Sequence, residues 1–232
     1  MATIPLAERM RPRSIAEILG QEHLLSEGAV LLKAIRSGRL PSMILWGPPG
    51  VGKTTLARVI AGEMGRSFIP LSAINSGVKD IRDAIDQAKK QRYFDRPGPI
   101  LFIDEIHRFS KSQQDSLLGA VEDGTVTLIG ATTENPSFEV ISALLSRSQV
   151  YVLKPLDEET MRKLIARAIS QDEELKKKKI IIEEDNALLQ ITGGDARKLL
   201  SALEIVTSQD EEPIIINDER VKEAIQQNIA FY

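Results

Sequence analysis

The sequence has no cysteine, few aromatic residues and no long apolar run. Without cysteine the chain forms neither disulfide bonds nor thiolate metal sites. Aromatic residues make up only 4% of the chain, which argues against a platform on which single-stranded bases stack. No apolar run approaches the roughly 18 residues of a membrane span, and the first residues lack the pattern of a signal peptide. We therefore expect a cytoplasmic protein that makes no membrane contact.

The charge balance gives no general attraction to nucleic acid. The chain has 30 basic and 33 acidic residues, for a net charge of -3, so any DNA contact would need a local basic patch. Apolar residues account for 42% and charged residues for 27%, the composition of an ordinary globular protein. The 232 residues suffice for one large domain or two small ones.

Strand-like and helix-like segments alternate up to about residue 154. Such alternation predicts a parallel sheet covered by helices on both faces. The predicted strands are 42–46, 68–71, 100–103, 125–131 and 149–153, and helices are predicted at 54–64, 80–92 and 113–122. Beyond Pro155 helices dominate, at 157–171, 184–191, 196–207 and 218–227, with short strand candidates at 180–182 and 214–216. We expect an α/β domain over 1–154 and a helical domain over 155–232.

One segment has the pattern of a phosphate-binding loop. Residues Gly47–Thr54 match G-x-x-x-x-G-K-[S/T] between a predicted strand and a predicted helix. Glycines let backbone N–H groups face phosphate oxygens, and the helix N-terminus adds positive potential. Lys53 should reach the β- and γ-phosphates of ATP, and Thr54 should bind Mg²⁺. The predicted nucleotide-binding residues are Gly47, Pro48, Pro49, Gly50, Val51, Gly52, Lys53, Thr54 and Thr55.

Two acidic residues follow the apolar strand 100–103. At the carboxyl end of a neighbouring strand, Asp104 and Glu105 would face the phosphate loop. Asp104 would then hold Mg²⁺ or its water, and Glu105 would act as general base on the attacking water. An acidic turn after a strand is common by itself. Its position about fifty residues after Lys53 is what makes the pattern specific.

Three polar residues further along are candidates for the same chemistry. Asn135 follows a predicted strand and could orient the lytic water, although polar residues are ordinary at strand ends. Arg147 could be a surface residue, or it could reach the ATP of a neighbouring subunit, since its planar fork pairs phosphate oxygens. Arg197 opens a helix behind Asp195, a good N-cap, where a cation opposes the helix dipole.

Other polar features are read as structural. The two histidines, His23 and His107, are too few and too far apart in sequence to indicate a metal site or a catalytic relay. The charge-rich stretch Glu173–Lys179 is read as a solvated loop.

These motifs, in this order, resemble the AAA+ ATPases, and within them the clamp-loader-like branch. Residues 11–21 resemble the N-terminal signature of that branch, and Ser146-Arg147-Ser148 resembles its Ser-Arg-Cys motif. The whole chain is similar to the replication-associated recombination protein A family, whose eukaryotic relative is the Werner-helicase-interacting protein. The segments that carry this resemblance are 5–12, 42–50, 107–115 and 130–138.

The resemblance implies a fold, a set of roles and partners. The implied fold has five parallel strands in the order 5-1-4-3-2 and a helical lid. Asn135 would be sensor 1, Arg147 a finger acting in trans and Arg197 sensor 2 acting in cis. Arg11, Pro12 and Ile18 would lie around the adenine. Members are DNA-dependent ATPases of stalled forks, gaps and duplex ends, associated with the nucleoid and with single-strand-binding protein.

The same resemblance leaves the DNA surface and the assembly open. Lys79, Arg82, Arg108 and Lys111 could track a DNA backbone or could be ordinary solvated charges. Family members continue into a C-terminal region that forms tetramers, and we expect this chain to lack it after Tyr232 and to be monomeric and poorly active. The alternatives to a DNA-dependent ATPase are a nucleotide-switched assembly module with little turnover and a Holliday-junction-type motor.

Overall fold

The computed structural model describes residues 4–92, 98–208 and 212–229. The chain forms two compact units. The α/β unit comprises Pro12–Pro48 and Gly52–Lys154, and the helical unit comprises the described residues of Met1–Arg11, Pro49–Val51 and Pro155–Tyr232. In the described ranges no helix is long and apolar enough to cross a membrane.

The α/β unit is built on a five-stranded parallel sheet. Its strands are Met43–Trp46 (β1), Phe68–Ser72 (β2), Ile100–Asp104 (β3), Thr127–Thr132 (β4) and Gln149–Val152 (β5). Their order is β2-β3-β4-β1-β5, which confirms the predicted order 5-1-4-3-2. Strands β1, β3 and β4 are almost wholly buried, as expected for parallel strands covered on both faces.

Helices and turns cover this sheet. They are Glu22–Leu25 (α2), Val30–Arg36 (α3), Lys53–Glu63 (α4), Val78–Arg92 (α5), Lys111–Asp115 (α6), Leu118–Glu122 (α7), Pro136–Glu139 (α8) and Ser142–Leu145 (α9), with 3₁₀ turns at Ile15–Glu17 and Ile106–Arg108. A core cluster joins one sheet face to α5, α7 and the second turn through Ile103, Leu128, Ile81, Ala120 and Ile106.

The prediction of a single helix over 113–122 is wrong. The segment forms two short helices, α6 and α7, and α6 begins at Lys111. Ser110 and Gln113 form a reciprocal capping box, in which each side chain accepts a bond from the other's backbone N–H. That box satisfies two helix-end donors and sets the start of α6.

The helical unit contains five helices and a pair of short strands among its described residues. These are Leu6–Arg9 (α1), Glu158–Gln171 (α10), Ile180–Ile182 (β6), Asn186–Thr192 (α11), Ala196–Val206 (α12), Ile214–Ile216 (β7) and Asp218–Ile229 (α13), with a 3₁₀ turn at Leu175–Lys177. Strands β6 and β7 pair in parallel. Asp157 caps α10 by accepting from Thr160 N, as its position predicted.

An ion pair fastens α1 within the helical unit. The Arg9 guanidinium donates to both Asp172 oxygens, at 2.7 and 3.0 Å, and the Asp172 side chain is only 2% exposed. The backbone N–H of Leu6 donates to Glu204 at 2.9 Å. The neighbouring stretch Glu173–Lys179 is not simply a solvated loop, because Leu175 is buried within it.

Candidate nucleotide-binding site

The phosphate loop lies between β1 and α4, as the sequence predicted. Gly52 caps α4 with a φ of 95°, in the left-handed region that favours glycine. Helix α4 begins at the next residue, so Lys53 and Thr54 occupy its first turn. A helix start offers unpaired backbone N–H groups and a positive dipole end, the features that bind phosphate.

Lys53 is held at the beginning of this loop. Its side-chain nitrogen donates to the carbonyls of Gly47, at 2.6 Å, and Pro48, at 2.9 Å. The residue is only 8% exposed, and a buried ammonium is stable only when its charge is compensated. The same three N–H donors could turn to phosphate oxygens without a backbone rearrangement.

The sheet order brings the other predicted groups to the same edge as the loop. Strand β4 lies between β1 and β3, and Trp46 at the end of β1 is in register with Thr132 at the end of β4. Asp104 ends β3 on the far side of β4. With about 4.8 Å between neighbouring strands, the ends of β1 and β3 are about 10 Å apart, a span that a triphosphate can bridge.

The residues present fit a magnesium ion bound together with phosphates. Within the described ranges no group of three or more His, Asp or Glu residues could hold a metal alone. Mg²⁺ is usually held by one or two protein oxygens together with substrate phosphates and water. The Thr54 hydroxyl and the Asp104 carboxylate, both partly exposed, are donors of this kind.

Glu105 follows Asp104 with an unusual backbone conformation. Its φ is 55°, and it is the only non-glycine residue of the described ranges with positive φ. The conformation turns the chain sharply from β3 into the 3₁₀ turn Ile106–Arg108. Its side chain lies 3.4 Å from the His107 ring, between Oε2 and Nε2.

The segment after β4 carries Asn135, whose side chain is already engaged. Its Oδ1 accepts from Ser137 N at 3.0 Å and caps the short helix α8. With the oxygen held in this way, the amide N–H groups are the part of Asn135 that could donate to water or phosphate. The same cap fixes the direction in which they point.

The two predicted arginines lie on exposed surfaces. Arg147 is 40% exposed and pairs with Glu122 at 2.6 Å, while its guanidinium also donates to the Ala143 carbonyl. Arg197 is exposed in the first turn of α12, behind Asp195, which accepts from Lys198 N at 2.9 Å. Solvent therefore screens the unfavourable dipole contact of Arg197.

The residues predicted around the adenine are half-buried, and those predicted to contact DNA are exposed. Arg11 is half-buried and pairs with Glu8, Nε to Oε2 at 3.0 Å. Pro12 and Ile18 are half-buried in the α/β unit. The four DNA candidates, all exposed, are Lys79, Arg82, Arg108 and Lys111.

One residue of this site was not predicted from the sequence. His107, read there as structural, bridges Glu105 at the end of β3 and Thr132 at the end of β4. Thr132 is 25 residues further along the chain, so no local pattern indicates the pairing. The one available signal was a histidine two residues after the candidate base.

Comparisons with known proteins identify this architecture. The model of the family "ATPase family associated with various cellular activities (AAA)" matches residues 43–156. This chain carries an AAA domain. The match runs from the start of β1 to just beyond β5, so it includes the phosphate loop and the ends of β1, β4 and β3.

Similarity to known relatives extends beyond the AAA domain and covers about 90% of this chain. The replication-associated recombination protein A of Haemophilus influenzae is 50% identical over 211 residues, 90% of this chain and 47% of that protein. The ATPase WRNIP1 of Dictyostelium discoideum is 45% identical over 90% of this chain and 24% of that protein. The chain spans about half the length of the replication-associated recombination proteins A of Haemophilus influenzae and Escherichia coli K12.

The fold is also that of a solved branch-migration motor. The Thermotoga maritima RuvB Holliday junction branch migration motor matches 94% of this chain and 73% of its own, with a TM-score of 0.73 and 28% identity. The likeness agrees with the α/β AAA fold.

Proposed function

We propose that this chain is a magnesium-dependent ATPase that acts on replication or recombination intermediates. The observation that supports it best is the common edge formed by the ends of β1, β4 and β3. That edge carries the phosphate loop, the Thr132–Asn135 segment and the Asp104-Glu105 pair. Phosphate binding, water orientation and base catalysis are the three functions that hydrolysis of a phosphoanhydride needs.

The proposed division of labour follows the chemistry of each side chain. Lys53 and the N-terminus of α4 bind the β- and γ-phosphates. Thr54 and Asp104 hold Mg²⁺, which neutralises charge on the phosphates when bound. Glu105 takes a proton from the attacking water, and the Asn135 amide orients that water or the γ-phosphate.

Two arginines complete the proposed site. Arg197 serves in cis as sensor 2, and Arg147 reaches the ATP of a neighbouring copy, for which it must leave Glu122. We propose that Arg11, Pro12 and Ile18 lie around the adenine.

An arginine finger contributes about 10³ to 10⁵ in rate, so turnover of the chain should depend on assembly. Mixing two inactive variants, Glu105→Gln and Arg147→Ala, should restore part of the rate if the finger acts in trans, and should restore none if it acts in cis.

The ATP site itself is tested by removing the loop cation. Lys53→Ala should abolish ATP binding measured by calorimetry. Lys33→Ala, which removes an exposed lysine of α3, is the matched control and should bind as the unmodified chain does. Equal ATP affinity in all three proteins would refute the assignment of the loop.

DNA binding is proposed from the exposed cations Lys79, Arg82, Arg108 and Lys111, together with the name of the bacterial relatives. Such binding should be dominated by backbone phosphates and fall steeply with salt. The slope of log K against log salt is negative, and each lost phosphate contact reduces its steepness by about 0.9. Replacing all four residues by alanine should therefore reduce the steepness by up to about 3.6. A control that replaces Lys33, Arg39, Lys89 and Lys90 should keep the slope. Binding that does not respond to salt would contradict the proposal.

We propose an ATPase of the clamp-loader type, and a Holliday-junction-type motor is the second candidate. The likeness to the Thermotoga maritima motor favours the second. ATP-driven movement of a four-way junction would favour the motor, whereas ATPase stimulation by gapped or forked DNA without junction movement would favour the clamp-loader type.

A further inference from the structure

Glu105 has a left-handed backbone conformation, with a φ of 55°. A non-glycine residue in the left-handed region costs about 1–2 kcal/mol. Such strain persists only where the surroundings impose it, and it collects at functional sites. Here the surroundings are the 3₁₀ turn Ile106–Arg108, which Glu105 opens by accepting a bond from Arg108 N at 2.8 Å.

This turn packs directly on strand β4, because Gly130 has no side chain. A Cβ on Gly130 would lie 3.0 Å from Ile106 Cδ1 and 2.8 Å from Ile44 Cδ1. Residues two apart on a strand share a face, so Thr132 lies on the same side of β4 as Gly130. Seating Ile106 over Gly130 therefore brings His107 next to Thr132.

His107 then joins two groups at the edge of the sheet. Its Nδ1 is 2.9 Å from Thr132 Oγ1, and its Nε2 is 3.4 Å from Glu105 Oε2. The His107 side chain is only 9% exposed, and Thr132 is fully buried. The ring is thus held between the candidate base and the strand end that leads to Asn135.

Hydrogen-bonding capacity favours one direction for this chain of contacts. An ionised carboxylate can only accept, so the tautomer with its hydrogen on Nε2 is the one that suits a carboxylate 3.4 Å away. In that tautomer Nδ1 accepts, and the Thr132 hydroxyl donates to it at 2.9 Å. Thr132 Oγ1 itself accepts from Glu134 N at 3.0 Å, and the Glu134 carbonyl, at 3.3 Å, is a poorer second acceptor for its hydrogen.

We propose that His107 is a positioning residue, which holds the Glu105 carboxylate in place, and that Thr132 fixes the tautomer and orientation of its ring. The inference rests on the proposed role of Glu105 as general base. A carboxylate on a short turn keeps several rotamers unless a neighbour selects one. A misplacement of about 1 Å can cost a catalytic group up to 10²-fold in rate.

The test measures phosphate release and ATP affinity on the same proteins. His107→Ala should lower kcat about tenfold, while KM and the Kd for ATP stay within about twofold. His107→Gln, whose amide can still donate to Glu105, should recover much of the loss. Thr132→Val, which keeps the shape and removes the hydroxyl, should lower kcat in the same direction. His23→Ala, the loss of the exposed histidine that contacts the Val152 carbonyl, is the matched control and should change neither quantity.

A double variant separates positioning from packing. In the Glu105→Gln background, followed over hours in single turnover, His107→Ala should cause little further loss, because there is no carboxylate left to position. An equal loss in both backgrounds, or a fall in ATP affinity that parallels kcat, would overturn the inference. So would an unchanged kcat in His107→Ala. If Glu105→Gln turned over at the rate of the unmodified chain, the proposed function itself would fail.

Discussion

Replacing Arg9 with alanine should destabilise the helical unit by about 2–3 kcal/mol. Removing one partner of a buried ion pair costs about 3–5 kcal/mol, because the other charge stays buried without it. The cost should be smaller here for two reasons. The Arg9 side chain is 16% exposed, and Asp172 keeps two backbone donors, Glu174 N at 3.2 Å and Leu175 N at 3.1 Å.

Urea denaturation followed by circular dichroism measures this loss. At about 2–4 °C per kcal/mol for a chain of this size, the melting temperature should also fall by about 4–12 °C. The matched control is Arg36→Ala, which removes an equally bidentate pair, with Glu27 at 2.8 and 2.7 Å, from the exposed surface. Its midpoint should stay unchanged. Equal midpoints for the Arg9 and Arg36 variants would refute the argument from burial.

The stability that the Arg9–Asp172 pair contributes should decrease at low pH. The hydrogen bond from Arg9 is the largest cause that lowers the pKa of Asp172 below its ordinary value of 3.8. A lowered pKa in the folded state means that the pair contributes fully above the unfolded pKa and is lost as the pH falls through the folded one. The difference in unfolding free energy between the unmodified chain and Arg9→Ala should therefore be constant near neutral pH. It should become smaller only below about pH 4.

Two glycine substitutions test the geometry of the site. Gly130→Ala should destabilise the chain by about 1–3 kcal/mol, because the new methyl group overpacks against Ile44 and Ile106, and a thermal melt checks this; an unchanged melt would contradict the close approach. Gly52→Ala meets no atom within 4 Å, so its cost should be backbone strain of about 1 kcal/mol, with weaker ATP binding by calorimetry; unchanged stability and binding would count against a strained loop.

Sequence patterns predicted the parts of this fold that depend on local chemistry. The apolar run at β3, the glycine-rich loop before α4 and the caps Asp157 and Asp195 each act within a few residues, so spacing alone reveals them. The strand order came from the resemblance and is confirmed by the pairing of β1 with β4 and β5.

Long-range pairs account for what the sequence did not reveal. Arg9 and Asp172 are 163 residues apart, and His107 and Thr132 are 25 apart. Neither pair has a periodicity or a spacing that marks it, because each depends on how the chain folds back. The positive φ of Glu105 is equally invisible in sequence, since glutamate gives no hint of a left-handed backbone.

The rate of phosphate release by Glu105→Gln tests the central claim most directly. The substitution keeps the size and hydrogen-bonding length of the side chain but removes the base. We predict that the variant binds ATP with the affinity of the unmodified chain and loses at least about 10²-fold in turnover. Unchanged turnover, with ATP binding retained, would contradict the assignment of Glu105 as the base of an ATPase.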